Sequence, residues 1–146
     1  RNQSSLDMKL SEIVSISGKP GLFLFINSSR VPYTVEELET GRRMPVFGRE
    51  KMSLLSNISM YTTEGEKPLA EVMQGMYETF GEEIPDAKSV SESAESLKDF
   101  MDKALPNWDQ ERIHQSDIKK LAKWYQILRQ KGMDSFMPSE EEEKED

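Results

Sequence analysis

Cysteine is absent from all 146 residues. That excludes disulfides, thiolate zinc sites and cysteine nucleophiles, and it fits a reducing compartment. Histidine occurs once, at His114, so any metal centre built on two imidazoles is excluded as well. Long apolar runs are missing. The longest is Leu22 to Ile26, far short of the roughly 20 residues a membrane helix needs. The chain opens on polar Arg1-Asn2-Gln3-Ser4-Ser5, so no secretory leader and no membrane partner are expected, and the expected location is the cytoplasm. Positive charge is short too: 19 Lys and Arg face 27 Asp and Glu, a net charge of −8. A chain of that balance repels phosphate backbones in general, so any nucleic-acid contact must come from a local patch.

The charge is unevenly placed. Residues 1–62 hold 8 basic and 6 acidic side chains, and residues 63–146 hold 11 and 21. The end, Ser139–Asp146 ("SEEEEKED"), has 6 acids to 1 base. A like-charge run of this kind cannot bury a core, so residues 135–146 are expected to form an acidic disordered tail. Met8 opens "MKLSEIV", which reads like a start, so residues 1–8 are set outside the fold.

Between these ends the hydrophobic period changes. A short helix is predicted over Leu10–Ile16 from Leu10, Ile13 and Val14. "LFLFI" (22–26) reads as a strand buried on both faces, and "PYTVEEL" (32–38) alternates as a half-buried strand. "RMPVF" (43–47) carries Pro45, the mark of an edge or a bulge, and "NISMYT" (57–62) alternates again. From Leu69 the period becomes 3.6: Leu69, Val72, Met73, Met76, Tyr77 and Phe80 form one apolar stripe, with Gly81 placed to end the helix. Two further stripes run through Leu97, Phe100 and Met101, and through Ile118, Leu121, Trp124, Tyr125 and Leu128.

The expected fold class is therefore α+β. A small SH3-like β-barrel with flanking helices is predicted over residues 9–80, a linker over 81–91 and a helical unit over 92–134. The helical unit is small for independent stability, so docking or formation of a homodimer is expected to support it.

Three patterns invite a chemical reading. "SGKPG" (17–21) resembles the end of a phosphate-binding loop. That loop needs a glycine five residues before Gly18, a hydroxyl after the lysine, and a strand before with a helix behind; here Pro20 replaces the hydroxyl and a strand follows. It is read as a turn, and no cofactor is expected. "ERIH" (111–114) has the Glu-x-x-His spacing of a carboxylate-bridged metal centre, with Asp117 three residues on. One histidine cannot complete the set, so no metal is expected. No nucleophile elbow or singled-out carboxylate pair is present, so no catalytic residue is assigned and the chain is read as a non-enzyme.

The third pattern is charge. From His114 to Lys131 the helix carries Lys119, Lys120, Lys123, Arg129 and Lys131 against Asp117. This is either a solvated face or a basic surface for a phosphate or acidic partner, the chain's own tail included. The barrel adds Lys19, Arg30, Arg42, Arg43, Arg49 and Lys51. The candidate partner-binding residues are Arg42, Arg43, Lys119, Lys120, Lys123, Trp124 and Tyr125. Trp124 and Tyr125 point about 100° apart on a helix, so either one lies in the core and the other at an interface, or both lie in a wide core.

The phrases "LSEIVSISGKPGLF", "RRMPVF", "ISMYT" and "SDIKKLAKWYQIL" resemble a family of short, acidic bacterial proteins known mainly from Bacteroidetes and classed as domains of unknown function. The resemblance covers most of residues 9–132. It implies a β-rich N-terminal part, a helical C-terminal part and a cytoplasmic bacterial protein. It implies no activity, ligand or catalytic residue. The function expected is a non-enzymatic binding or adaptor module for a protein partner, with RNA or ribosome association as the alternative and an enzyme as the weakest reading.

Overall fold

A computed structural model describes residues 9–27, 32–48 and 51–137 of the chain. Residues 1–8, Arg30, Arg49 and the acidic run from residue 138 onward lie outside the described residues.

The first element corrects the sequence reading. Leu10–Glu12 is a single 3-10 turn, and the chain then enters strand β1, Ile13–Ile16. Ile13 and Val14 are both fully buried, on opposite faces of a sheet. Two adjacent β-branched residues suit a strand better than a short helix. Strands β2 (Lys19–Asn27), β3 (Tyr33–Glu37), β4 (Arg43–Val46) and β5 (Met52–Leu54) follow, all paired antiparallel in the order β4-β3-β2-β1-β5. Pro45 does sit on an edge strand, where its missing N–H costs no ladder bond.

The expected barrel is not closed. Strands β4 and β5 end the sheet without pairing to each other. Strand β6 (Ser59–Thr62), predicted to complete a barrel, instead forms a separate hairpin with β7 (Gly65–Pro68). Backbone bonds tie this hairpin to the helical half: the Asp109 N–H donates to the Tyr61 carbonyl at 3.1 Å, and Thr62 bridges to Trp108. Irregular register in β1 between Val14 and Ile16, and in β2 between Phe25 and Asn27, increases local twist and curves the open sheet.

Helix α1 (Leu69–Phe80) starts at Pro68, and Gly81 ends it at φ 63°. Helix α2 (Ala87–Val90) lies inside the predicted 81–91 linker. Its Ala87 is buried, and the Ala87 N–H donates to Gln126 Oε1 at 2.7 Å. That stretch is packed structure rather than a spacer. Helix α3 (Ala94–Ala104) begins with a Ser93–Ser96 capping box, and α4 spans Gln115–Gln130. The predicted tail also starts too early. Phe136 is 3% exposed, stacks 5.9 Å from Tyr125, and has its N–H bonded to Gln74 Oε1.

The continuous "LFLF" run now has its reason. Leu22 and Leu24 join Ile13 and Leu38 in a large core shared with all four helices. Phe23 and Phe25 face the other way, with Val14, Ile16, Val35 and Val46 in a second, smaller cluster. Each fully buried side chain of this size contributes about 1.5–3 kcal/mol. The shared core makes the sheet and the helices one packed body, and it leaves one side of α4 free beside the β1–β2 turn.

Candidate functional site

The turn that raised the nucleotide question joins β1 to β2. Gly18 and Gly21 hold φ values of +84° and +86°, which side chains other than glycine rarely adopt. A strand precedes the turn and a strand follows it, so no helix stands behind it to complete a phosphate loop. It does something else: it forms one wall of a groove of about 450 Å³ whose other wall is α4.

Helix geometry builds the α4 wall. Ile118, Leu121, Ala122, Tyr125 and Leu128 are buried, which turns Lys119, Lys120, Lys123 and Trp124 together toward the groove. Lys19 enters from the β1–β2 turn and Lys51 from just before β5. Five lysines thus line one concavity in a protein of net charge −8. Among the described residues one carboxylate pairs with them directly: Glu39 Oε2 lies 3.3 Å from Lys123 Nζ, an exposed pair, while Asp86 also acts on Lys123 and the lysines stay in excess. A concave, single-sign lining focuses the field and raises the local concentration of anions.

The floor is made by small residues. Ser15 of β1 and Ser53 of β5 are directly opposite in register, on the strand face where larger side chains would fill the gap to Trp124. A second hollow of about 310 Å³ continues from the first, sharing Ser15, Ser53, Lys120 and Trp124. Its further lining is largely apolar, with Ile58, Met60, Leu69, Ile113 and Leu121, and it includes the carboxylate of Asp117. A third hollow of about 330 Å³ also touches Ser53 and is lined by Val14, Phe25, Met52 and Leu54 of the smaller cluster.

The remaining candidates fall elsewhere. Tyr125 is fully buried, packed near Phe80 and Phe136, so of the two adjacent aromatics it is a core residue and it leaves the set of candidate partner-binding residues. Arg129 is also buried, held by the Met133 carbonyl at 2.7 Å and over the Tyr77 ring at 4.7 Å, and adds nothing to the basic face. Arg42 and Arg43 line none of the three hollows. Arg43 is paired with Glu36 at 3.0 Å. The Glu-x-x-His residues part company: the His114 N–H donates to Asp117 Oδ2 at 3.0 Å at the start of α4, and the Glu111 N–H donates to Asp109 Oδ1 at 3.0 Å in the preceding turn. Among the described residues no three His, Asp or Glu side chains gather as a metal site.

Sequence reading noted Lys19 and Lys51 on the sheet and the lysines of α4 separately, but nothing local in the chain signals that they meet. Ser15 and Ser53 were missed. The signal available was a pair of small polar residues at strand positions where alternation would place apolar ones.

Comparison with known proteins divides the chain near the groove. Residues 10–55 match a domain of unknown function (DUF5606), and residues 58–128 match another domain of unknown function (DUF6852). Both matched segments contribute to the groove, the first through Ser15, the turn, Lys51 and Ser53, the second through α4. A solution NMR structure of a protein from Bacteroides vulgatus, a structural-genomics target, is similar at 36% identity and a TM-score of 0.67. The likeness covers 84% of this chain and 87% of that one. No curated protein matches.

Proposed function

The chain belongs to the same family as the Bacteroides vulgatus protein, and from its own geometry we propose that it is a non-enzymatic cytoplasmic binding module that captures an anionic segment of a partner protein. The observation that carries this reading is the convergence of Lys19, Lys51, Lys119, Lys120 and Lys123 on one groove with Trp124 in its wall. Attraction between a fixed cationic lining and an acidic segment steers encounter and sets specificity. The adjoining apolar hollow supplies buried area for a neutral anchor side chain. His114, the single imidazole, lies at the start of α4 and lines neither part.

The alternative is single-stranded RNA, favoured by one observation: Trp124 stands among lysines, and an aromatic ring in a basic groove is a stacking platform for bases. Both readings lose affinity with added salt, so salt alone does not separate them.

The test is the triple variant Lys119→Glu/Lys120→Glu/Lys123→Glu, used in pull-downs from lysate treated or untreated with nuclease. Loss of a nuclease-resistant partner, with an unchanged melting curve, supports the protein-partner reading. A partner retained by the charge-reversed variant refutes it, and a partner lost on nuclease treatment transfers the groove to RNA.

A further inference from the structure

The two edges of the main sheet are not alike. Strand β4 carries Pro45, which has no N–H to offer, and the Arg43–Glu36 ion pair. Such features blunt an edge against further pairing. Strand β5 carries Met52-Ser53-Leu54, with no proline and no charge, and among the described residues no strand pairs with its outer side.

The direction of its free backbone groups follows from register. The Ser17 N–H donates to the Lys51 carbonyl at 2.8 Å, and the ladder continues through Ile16 opposite Met52, Ser15 opposite Ser53 and Val14 opposite Leu54. Bonded and non-bonded pairs alternate in antiparallel sheets, so Lys51 and Ser53 turn their N–H and C=O groups toward β1. Met52 and Leu54 turn theirs outward. The side chains alternate likewise. Met52 and Leu54 pack against the smaller cluster, while Ser53 opens toward the lysine groove and touches all three hollows.

We propose that an acidic, extended peptide segment of a partner adds as an antiparallel strand to the free edge of β5. Residues opposite one another across a ladder share a face. Side chains opposite Met52 and Leu54 therefore enter the hollow lined by Val14, Phe25 and Asn57, and those opposite Lys51 and Ser53 face the lysines and Trp124. The sequence recognised alternates apolar and acidic residues, with backbone bonds giving affinity and the two lined faces giving specificity. Charge complementarity selects this occupant. A second copy of β5 would bring its own lysines against these five. An RNA strand would use neither the outward N–H and C=O groups of β5 nor the Val14 and Phe25 side chains in the hollow on the far face. The inference rests on the groove reading above, and the experiment separates their failures.

The probe is a blocked seven-residue peptide of alternating glutamate and leucine, with glutamate at both ends. Two backbone variants are compared with it, one N-methylated at every leucine and one at every internal glutamate, with charge and side chains unchanged. Full-length protein is titrated with each by fluorescence of Trp124 and Trp108, with Trp124→Phe assigning the signal. The expected result is binding at least tenfold weaker for the leucine-methylated peptide and within twofold for the glutamate-methylated one. Equal affinities for the two, with binding still lost in the Lys119→Glu/Lys120→Glu/Lys123→Glu variant, overturn strand addition while leaving the groove intact. Binding unaffected by that variant overturns the groove and the strand together. A single-stranded oligonucleotide of equal charge that binds tighter than the parent peptide overturns the assignment to an acidic peptide.

Discussion

Glu39 and Lys123, 84 positions apart, meet at 3.3 Å across the mouth of the groove. The contact ties the β3–β4 turn to α4, and it places a neutralising carboxylate against the lysine lining. Both side chains are more than a third exposed, so the pair contributes about 1 kcal/mol or less to folding.

Removing that carboxylate should therefore change binding more than stability. Glu39→Gln is expected to leave the melting temperature nearly constant and to tighten capture of an acidic peptide by roughly two- to fivefold at low salt. The gain should vanish in high salt. An affinity independent of this substitution would mean that Lys123 does not face the ligand.

Tyr125 makes an uncommon prediction because its hydroxyl is buried beside Arg129 and, among the described residues, meets no group at full hydrogen-bond geometry. Burial also pushes the hydroxyl pKa above its ordinary value. A buried polar group without a partner costs about 1–3 kcal/mol, and its removal with shape preserved is neutral or stabilising. Tyr125→Phe should therefore melt at the same temperature or higher, measured by calorimetry. A clear fall would show that the hydroxyl is bonded in solution.

Asp102 controls part of the acid sensitivity. Its carboxyl is held below the ordinary 3.8, first by the Trp108 indole N–H at 2.8 Å and then by Lys98 at 3.0 Å. A depressed carboxyl stabilises the fold fully above the unfolded value, and that contribution is lost as pH falls through the folded one. Thermal stability should thus decline below about pH 4. Asp102→Asn should show a shallower decline while keeping an acceptor for Trp108. Parallel curves for the two proteins would rule Asp102 out as a contributor.

Val46 tests the smaller cluster. It is buried in a group of five with Val14, Ile16, Phe23 and Val35, on a sheet that curves without closing. Val46→Asp places an unpaired charge there and should cost about 4 kcal/mol or more, enough to unfold much of the population at room temperature. An unchanged denaturant midpoint would remove Val46 from the core.

The elements that carry a hydrophobic period are legible in the sequence before the chain folds. Strand β2 was legible because "LFLF" is buried on both faces, and α1 because Leu69, Val72, Met73 and Met76 repeat on one side and Gly81 stops the turn. These signals are local: alternation and helical spacing are written within a few residues. The sequence also separated Trp124 from Tyr125 by helical angle, although which of them is buried was decided elsewhere. Strand β5 has only three residues and so carries no usable period, and β1 reads as a helix because Leu10, Ile13 and Val14 fit helical spacing while a strand buried on both faces shows no alternation. Tertiary structure alone decided that β6 leaves the sheet for the hairpin beside Trp108, so the barrel stays open at β5. It alone brought Lys19 and Lys51 to the lysines of α4. The reason is physical: like charges have no attraction that a sequence pattern could announce, and they meet only because the apolar residues behind them pack.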